Sequence, residues 1–232
     1  MRGEVAVVVD GAGVPARFRS GCEHSVAWFA HALCEALLET AQEASTLREA
    51  LAAGIAQVRD LHAGHCELDR GGPSATVAMA RRCGAMIDHL VLCDCSLLLR
   101  HTDGSMRRLT DLRVDQVRRR CRASEQIEAQ RNRPGGFWVA RHEPEAAHEA
   151  LCGTLPVASL ERLHLVTDGV TRAVDLCGLM DDDALDVALA RDPAEMLRRL
   201  REAEAALDPA RRPRKVHDDA TVITLRPGEP SC

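Results

Sequence analysis

Leu165-Val166-Thr167-Asp168-Gly169-Val170-Thr171 is the stretch whose reading decides the fold. Residues 160–167 form an apolar run of strand length that stops at an Asp-Gly step. A glycine after an acid lets the backbone come close to a ligand, so that the carbonyl can also coordinate it. The same arrangement occurs near the start, where the apolar run 4–9 leads into Asp10-Gly11-Ala12-Gly13. A third acid, Asp218, opens the β-branched closing segment 218–225. A lone Asp-Gly step is ordinarily a turn, which is the reading of Asp103-Gly104 inside Thr102-Asp103-Gly104-Ser105. Three acids at the ends of three predicted strands are a different matter. Carboxylates gathered in one place repel unless a cation neutralises them. Oxygen-only ligands select hard cations, Mg²⁺ or Mn²⁺ over Zn²⁺. Two such ions can activate a water and neutralise a phosphate under attack.

The segments between these acids set the fold class. Residues 24–39 place Val26, Phe29, Leu33 and Leu37 on one helical face, and 47–61 repeat the pattern with Leu47, Leu51, Ile55 and Val58. Strands are predicted over 74–81, 88–100, 106–109 and 135–140, and a short helix over 144–151. Helices are predicted over 181–190 and 193–207, the second with Asp192 as N-cap and Pro193 at its first position. Residues 113–133 are Arg-rich with a weak helical period and read as a solvated helix or loop, with a patch for a phosphorylated partner as the alternative. Strands and helices come in blocks joined by hairpins rather than in strict βαβ alternation, so the expectation is an α+β domain.

A length of 232 residues suffices for one large domain, read as residues 1–232. With aromatics at 2%, the core must be built from Ala, Leu and Val. A net charge of −5 argues against a nucleic-acid partner. No apolar run reaches transmembrane length and no secretory signal is visible, which leads to the expectation of a cytoplasmic chain with no membrane partner. The 10 cysteines are scattered, with Cys93 and Cys95 the one close pair. Without a Cys-x-x-Cys or a Cys/His cluster at zinc spacing, they read as reduced, small core residues.

The ordered motifs resemble those of the metal-dependent protein phosphatases of type 2C, especially bacterial members. Residues 7–13 are similar to the family's strand ending in Asp-Gly-x-Gly. Gly72-Pro73-Ser74-Ala75-Thr76 is similar to its Ser-Gly-Thr-Thr-Ala segment, and 90–99 to the strand carrying Gly-Asp-Ser-Arg, here Cys93-Asp94-Cys95-Ser96. The most specific likenesses are 165–171 and His217-Asp218-Asp219-Ala220-Thr221-Val222. The resemblance implies a four-layer α/β/β/α sandwich of two antiparallel sheets flanked by helices. It implies a centre for two Mn²⁺ or Mg²⁺ ions, with Asp10 bridging them, the Gly11 carbonyl on one, and Asp168 and Asp218 on the other. It implies hydrolysis of phosphoserine or phosphothreonine in a protein substrate, a metal-activated water attacking phosphorus directly.

The sequence also departs from that pattern. Nine residues precede Asp10, where the family carries a further strand with an acidic ligand, and Glu4 lies roughly 20 Å up an extended chain. Asp94 keeps the acid associated with a third metal, but Arg172 stands where its usual acidic partner would be. Arg172 is therefore read as a phosphate contact or as a cation paired with Asp94. Arg17 and Arg19, in the loop after the first motif, are further phosphate candidates, and His24 a candidate proton donor. The alternative function is a pseudophosphatase, a binding or regulatory module of the same fold. A haloacid-dehalogenase-type phosphatase is disfavoured, because Ala12 stands where that chemistry needs its second acid.

Overall fold

Strand β1 (Val5–Gly11) has two buried faces. Val5 and Val7 pack with Phe29, Leu33, Leu37, Leu51 and Ile55, whereas Ala6 and Val8 pack with Val91, Leu97, Leu99, Leu163 and Leu165. Side chains alternate across a strand, so β1 must lie between a helical layer and a second sheet. The rest of the chain supplies both. In the computed structural model, which describes residues 1–12, 14–211, 213 and 215–227, β1 is followed by α1 (Val26–Glu43) and α2 (Leu47–His62). Strands β2 (Ala75–Cys83), β3 (Met86–Leu92), β4 (Ser96–His101) and β5 (Met106–Thr110) come next. Then come α3 (Arg113–Arg120), α4 (Ser124–Glu128), β6 (Leu151–Pro156) and β7 (Leu160–Val166). Helices α5 (Asp168–Asp175), α6 (Asp182–Arg191) and α7 (Pro193–Ala206) precede β8 (Val222–Leu225).

The strands form two antiparallel sheets, ordered β1-β2-β3-β6 and β5-β4-β7-β8. Helices α1 and α2 cover the first sheet. The outer face of the second, including Leu98 and Val166, packs on Val170, Ala173, Leu185, Leu189, Met196 and Leu200 of α5, α6 and α7. The chain thus forms the four-layer α/β/β/α sandwich expected from its sequence. No described helix is long and apolar enough to cross a membrane. The helix starts are fixed by local capping: the Ser25 side chain accepts from Trp28 N at 3.0 Å, Thr46 and Glu49 make a reciprocal box, and Asp192 accepts from Glu195 N at 3.0 Å.

Several boundaries differ from the sequence reading. The single strand expected over 88–100 is two, β3 in one sheet and β4 in the other, with Cys93-Asp94-Cys95 as the corner. Cys93 has φ 67°, a left-handed conformation that breaks the strand and that L-residues adopt at a cost of about 1–2 kcal/mol. It stands where the resemblance places a glycine, which is the residue suited to that φ. Residues 135–140 form no strand and make only the bridges Ala75–Ala140 and Arg131–Phe137. Pro144–Glu149 is a 3₁₀ turn, and the residues after it form β6, whose edge position lets alternate side chains face solvent. Helix α5 begins at Asp168 itself, and Asp218 lies in the loop ahead of β8.

The outer face of the second sheet carries a buried charge network. The fully buried Asp186 carboxylate accepts from Arg100 Nε at 2.9 Å and from Arg162 Nε and Nη2 at 2.8 and 2.7 Å, and faces His164 Nε2 at 3.1 Å. Burial pushes the His164 imidazole below its usual range, so the two arginines are the cations that balance Asp186. Removing one member of such a group strands the others without compensation. Asp186→Asn is expected to cost roughly 3–5 kcal/mol of unfolding free energy, read by urea denaturation. A loss below about 1 kcal/mol would show that the network contributes no net stability.

Candidate metal centre

Asp10 lies near the end of β1, paired across the sheet with Thr76. Its neighbour Gly11 permits the close entry of α1: a Cβ there would overlap Val26 Cγ1. Below it, Thr76 Oγ1 and the buried Cys95 Sγ are in contact at 3.1 Å. The Cys93-Asp94-Cys95 corner, where the chain passes from one sheet to the other, brings Asp94 in from the side. Asp168 arrives at the junction of β7 and α5, where the first peptide N–H groups of the helix favour negative charge.

The loop carrying Asp218 is held against this junction by Thr167, whose side chain is 1% exposed. Its hydroxyl donates to the Asp219 carbonyl at 3.3 Å and accepts from Thr221 N at 3.1 Å, while the Thr167 N–H donates to the Thr221 carbonyl at 3.2 Å. Gly169 makes room for the same loop, because a Cβ on it would collide with the Asp219 carbonyl and stand 3.3 Å from Asp218 Cβ. The Thr-Asp-Gly sequence is therefore a positioning device: threonine anchors the second acidic loop, aspartate supplies a carboxylate, and glycine permits the approach.

The four carboxylates perturb one another. Burial, then the charge and hydrogen bond of Asp168, then Asp94 and Asp218, push Asp10 up to about 8. Burial, with Asp94 and Asp218, pushes Asp168 up to about 6. Both members of the pair are thus held above the usual carboxylate range, Asp10 further than Asp168. Burial also raises Asp94, against the opposing charge of Arg118. Asp218 behaves differently: burial acts to raise it, but Lys215 and Arg172 outweigh that and hold it below the usual carboxylate range. A centre of buried oxygen donors that must take up protons to offset its own charge fits hard divalent cations.

The sequence profile of the protein phosphatase 2C family matches residues 2–211. The chain belongs to that family. No curated protein matches it significantly. Among solved structures, a bacterial serine phosphatase superimposes with a TM-score of 0.62 at 12% identity, covering 98% of this chain and 87% of its own. The phosphatase Stp1 from Staphylococcus aureus gives 0.59 at 11% identity over 96% and 83%. The catalytic domain of the serine/threonine protein phosphatase PstP, solved with two manganese ions, gives 0.53 at 19% identity over 86% and 80%.

Against that family background, the arginines singled out in the sequence are already engaged. Arg17 donates to Ser124 Oγ at 2.9 Å and to Glu125 at 2.8 Å, tying the first loop to α4. Arg19 donates to the Val14 carbonyl at 3.1 Å. Arg172 does not make the pairing with Asp94 that is one of its two expected roles. It meets Asp218 at 2.5 Å and the buried Glu204 at 3.2 Å, because one turn into α5 it faces α7. The cation beside Asp94 is Arg118, at 3.5 Å. Arg118 comes from the segment read as a solvated helix, but Val114 and Val117 bury one side of α3 against Cys93 and Phe137, and this turns the helix toward the centre. Spacing of valines at 114 and 117 was the available signal. Lys215, the chain's one lysine, reaches Asp218 at 2.8 Å.

Two further expectations are corrected. His24 is not a proton donor at the carboxylates; it faces the thiols of Cys22 and Cys66. The cysteines are not generally core residues, since among the described ones Cys93 and Cys95 are buried whereas Cys83 and Cys152 are exposed.

Crowding at the centre has a consequence for stability. The raised Asp10 carboxyl favours the folded state fully below its unfolded value of about 4, and that contribution is lost as pH rises toward about 8. With chelator present, Asp10→Asn should therefore melt above the wild type at pH 8, the gap narrowing toward pH 5. Added Mn²⁺ should reverse the order, because the ion stabilises the form that binds it. Equal melting temperatures at pH 8 in chelator would show that the carboxylates do not strain one another.

Proposed function

We propose that this chain is a metal-dependent phosphoserine/phosphothreonine protein phosphatase. The observation that carries the reading is the convergence of Asp10, Asp94, Asp168 and Asp218 from four separate segments, with Asp10 and Asp168 forced toward protonation. Mg²⁺ or Mn²⁺ held by these acids and the Gly11 carbonyl would supply Lewis-acid polarisation of a phosphoryl oxygen and an activated water. The chain's own contribution is to set the acids in place. Thr167 and Gly169 hold the Asp218 loop at the start of α5, and Thr76 with Cys95 supports the end of β1.

A groove of about 660 Å³ adjoins the centre, lined by Arg108, Arg118, Arg119, Asp115 and Asp175. A larger cleft of about 1000 Å³ lies over α6 and α7, beside Arg100 and Arg162; neither lining includes any of the four acids. The groove is the better substrate path, since Arg118 links it to Asp94 and exposed Arg119 offers a cation to an anionic peptide.

A second reading has a specific observation behind it. Arg172 and Lys215 both grip Asp218, and Arg118 stands beside Asp94, so side-chain cations already offset part of the charge that metal would neutralise. A chain balanced in this way would keep the fold and act as a binding module with weak turnover.

Hydrolysis of p-nitrophenyl phosphate and of phosphoserine and phosphothreonine peptides at mildly alkaline pH separates the two. The phosphatase reading expects turnover with Mn²⁺ or Mg²⁺, none with chelator, and at least about a 100-fold loss of kcat/KM in Asp168→Asn. A folded wild type that is inert with both metals would remove the enzyme reading and leave the binding module.

A further inference from the structure

Away from the carboxylates, the fold brings together Cys22, His24, His62 and Cys66, whose ligand atoms all lie within 4.8 Å of one another. Cys22 Sγ is 3.3 Å from His62 Nδ1, 3.3 Å from Cys66 Sγ and 3.6 Å from His24 Nδ1, and Cys66 Sγ is 3.5 Å from His24 Nδ1. A tetrahedral zinc ion with bonds of about 2.3 Å to sulfur and 2.0–2.1 Å to nitrogen sets its ligand atoms roughly 3.3–3.8 Å apart. Four of the six ligand pairs already stand at that spacing, and all lie within 4.8 Å. Two thiolates and two imidazoles form a donor set that selects zinc over the hard cations suited to the aspartates. Four protein ligands leave no open position, which marks a structural rather than a hydrolytic site.

The surroundings point the same way. Both histidines turn Nδ1 toward the sulfurs, and His62 is only 2% exposed. Trp28 packs on the imidazoles, 4.0 Å from the His24 ring and 5.2 Å from that of His62, closing one side. Cys22 and His24 lie in the loop between β1 and α1, whereas His62 and Cys66 lie at and just beyond the end of α2. These two segments already touch closely: Glu67 N donates to the Gly21 carbonyl at 2.7 Å, and a Cβ on Gly21 would collide with that same turn.

We propose that Cys22, His24, His62 and Cys66 bind a structural zinc ion that clamps the loop following Asp10-Gly11 to the end of α2. The clamp holds the chain that leads away from the carboxylate centre and carries Arg17 to its contact with α4. It is separate from the aspartates and does not depend on their chemistry.

The test is metal content and cobalt spectroscopy on the full-length chain purified without chelator. One zinc per chain is expected by elemental analysis in the wild type and equally in Asp168→Asn, with loss of that zinc in the double variant Cys22→Ser/Cys66→Ser. Co²⁺ exchanged into the wild type should give the visible bands of a tetrahedral site with thiolate-to-cobalt charge transfer, a readout that needs no variant to fold. Cobalt bound without thiolate charge transfer would overturn the proposal. So would zinc retained in the double serine variant but lost in Asp168→Asn, or a Cys22–Cys66 disulfide in the mass of the unreduced wild type.

Discussion

Mutual repulsion among Asp10, Asp94, Asp168 and Asp218 is the constraint on which the rest of the molecule depends. Bringing four carboxylates into a partly buried edge is unfavourable, and the chain accepts it only because each acid sits on a different rigid support. The edge of one sheet holds Asp10, the corner between the sheets holds Asp94, a strand-to-helix junction holds Asp168, and a threonine-anchored loop holds Asp218. The sandwich behind them, with apolar residues on both faces of β1 and of β4, supplies the rigidity. Burial first, and the neighbouring acids after it, raise Asp10 to about 8 in that arrangement.

Side-chain cations modulate the same charge. Asp218 is kept ionised by Lys215 and Arg172, and Asp94 is attended by Arg118. These contacts divide the centre in two. Asp10 and Asp168 carry the uncompensated part, whereas Asp94 and Asp218 are partly balanced by the protein. Arg172 belongs also to a second group, in which the fully buried Glu204 meets Arg201 at 2.6 Å and His217 at 2.9 Å. Helix α7 is thereby tied to the acidic loop, so the outer helical layer takes part in placing Asp218.

Much of this was legible in the sequence. The apolar runs ending in Asp10-Gly11 and Asp168-Gly169 mark strand ends because hydrophobic length and the acid-glycine step are both local properties. The helical faces of α1 and α2 follow from the spacing of their leucines and valines. What escaped was set by tertiary context. The corner at Asp94 hides in an apolar run because a cysteine rather than a glycine takes the positive φ. Strand β6 alternates too weakly to declare itself at a sheet edge. Arg118 is one arginine among many until Val114 and Val117 fix the face of its helix. The Cys/His cluster is invisible to spacing rules because α1 and α2, a whole helical hairpin, separate its halves.

Carboxyls held above their usual range give up protons when a cation takes their place, and the Asp10–Asp168 pair is where Mn²⁺ would do so. Calorimetric titration of Mn²⁺ into the chelator-treated protein at pH 7, repeated in buffers of different ionisation enthalpy, counts the protons displaced. Saturable binding is expected, with release of about one proton per chain from the Asp10–Asp168 pair and a release that disappears as pH rises well above 8. Binding with no proton released at pH 7, or a release unchanged in Asp10→Asn, would contradict it.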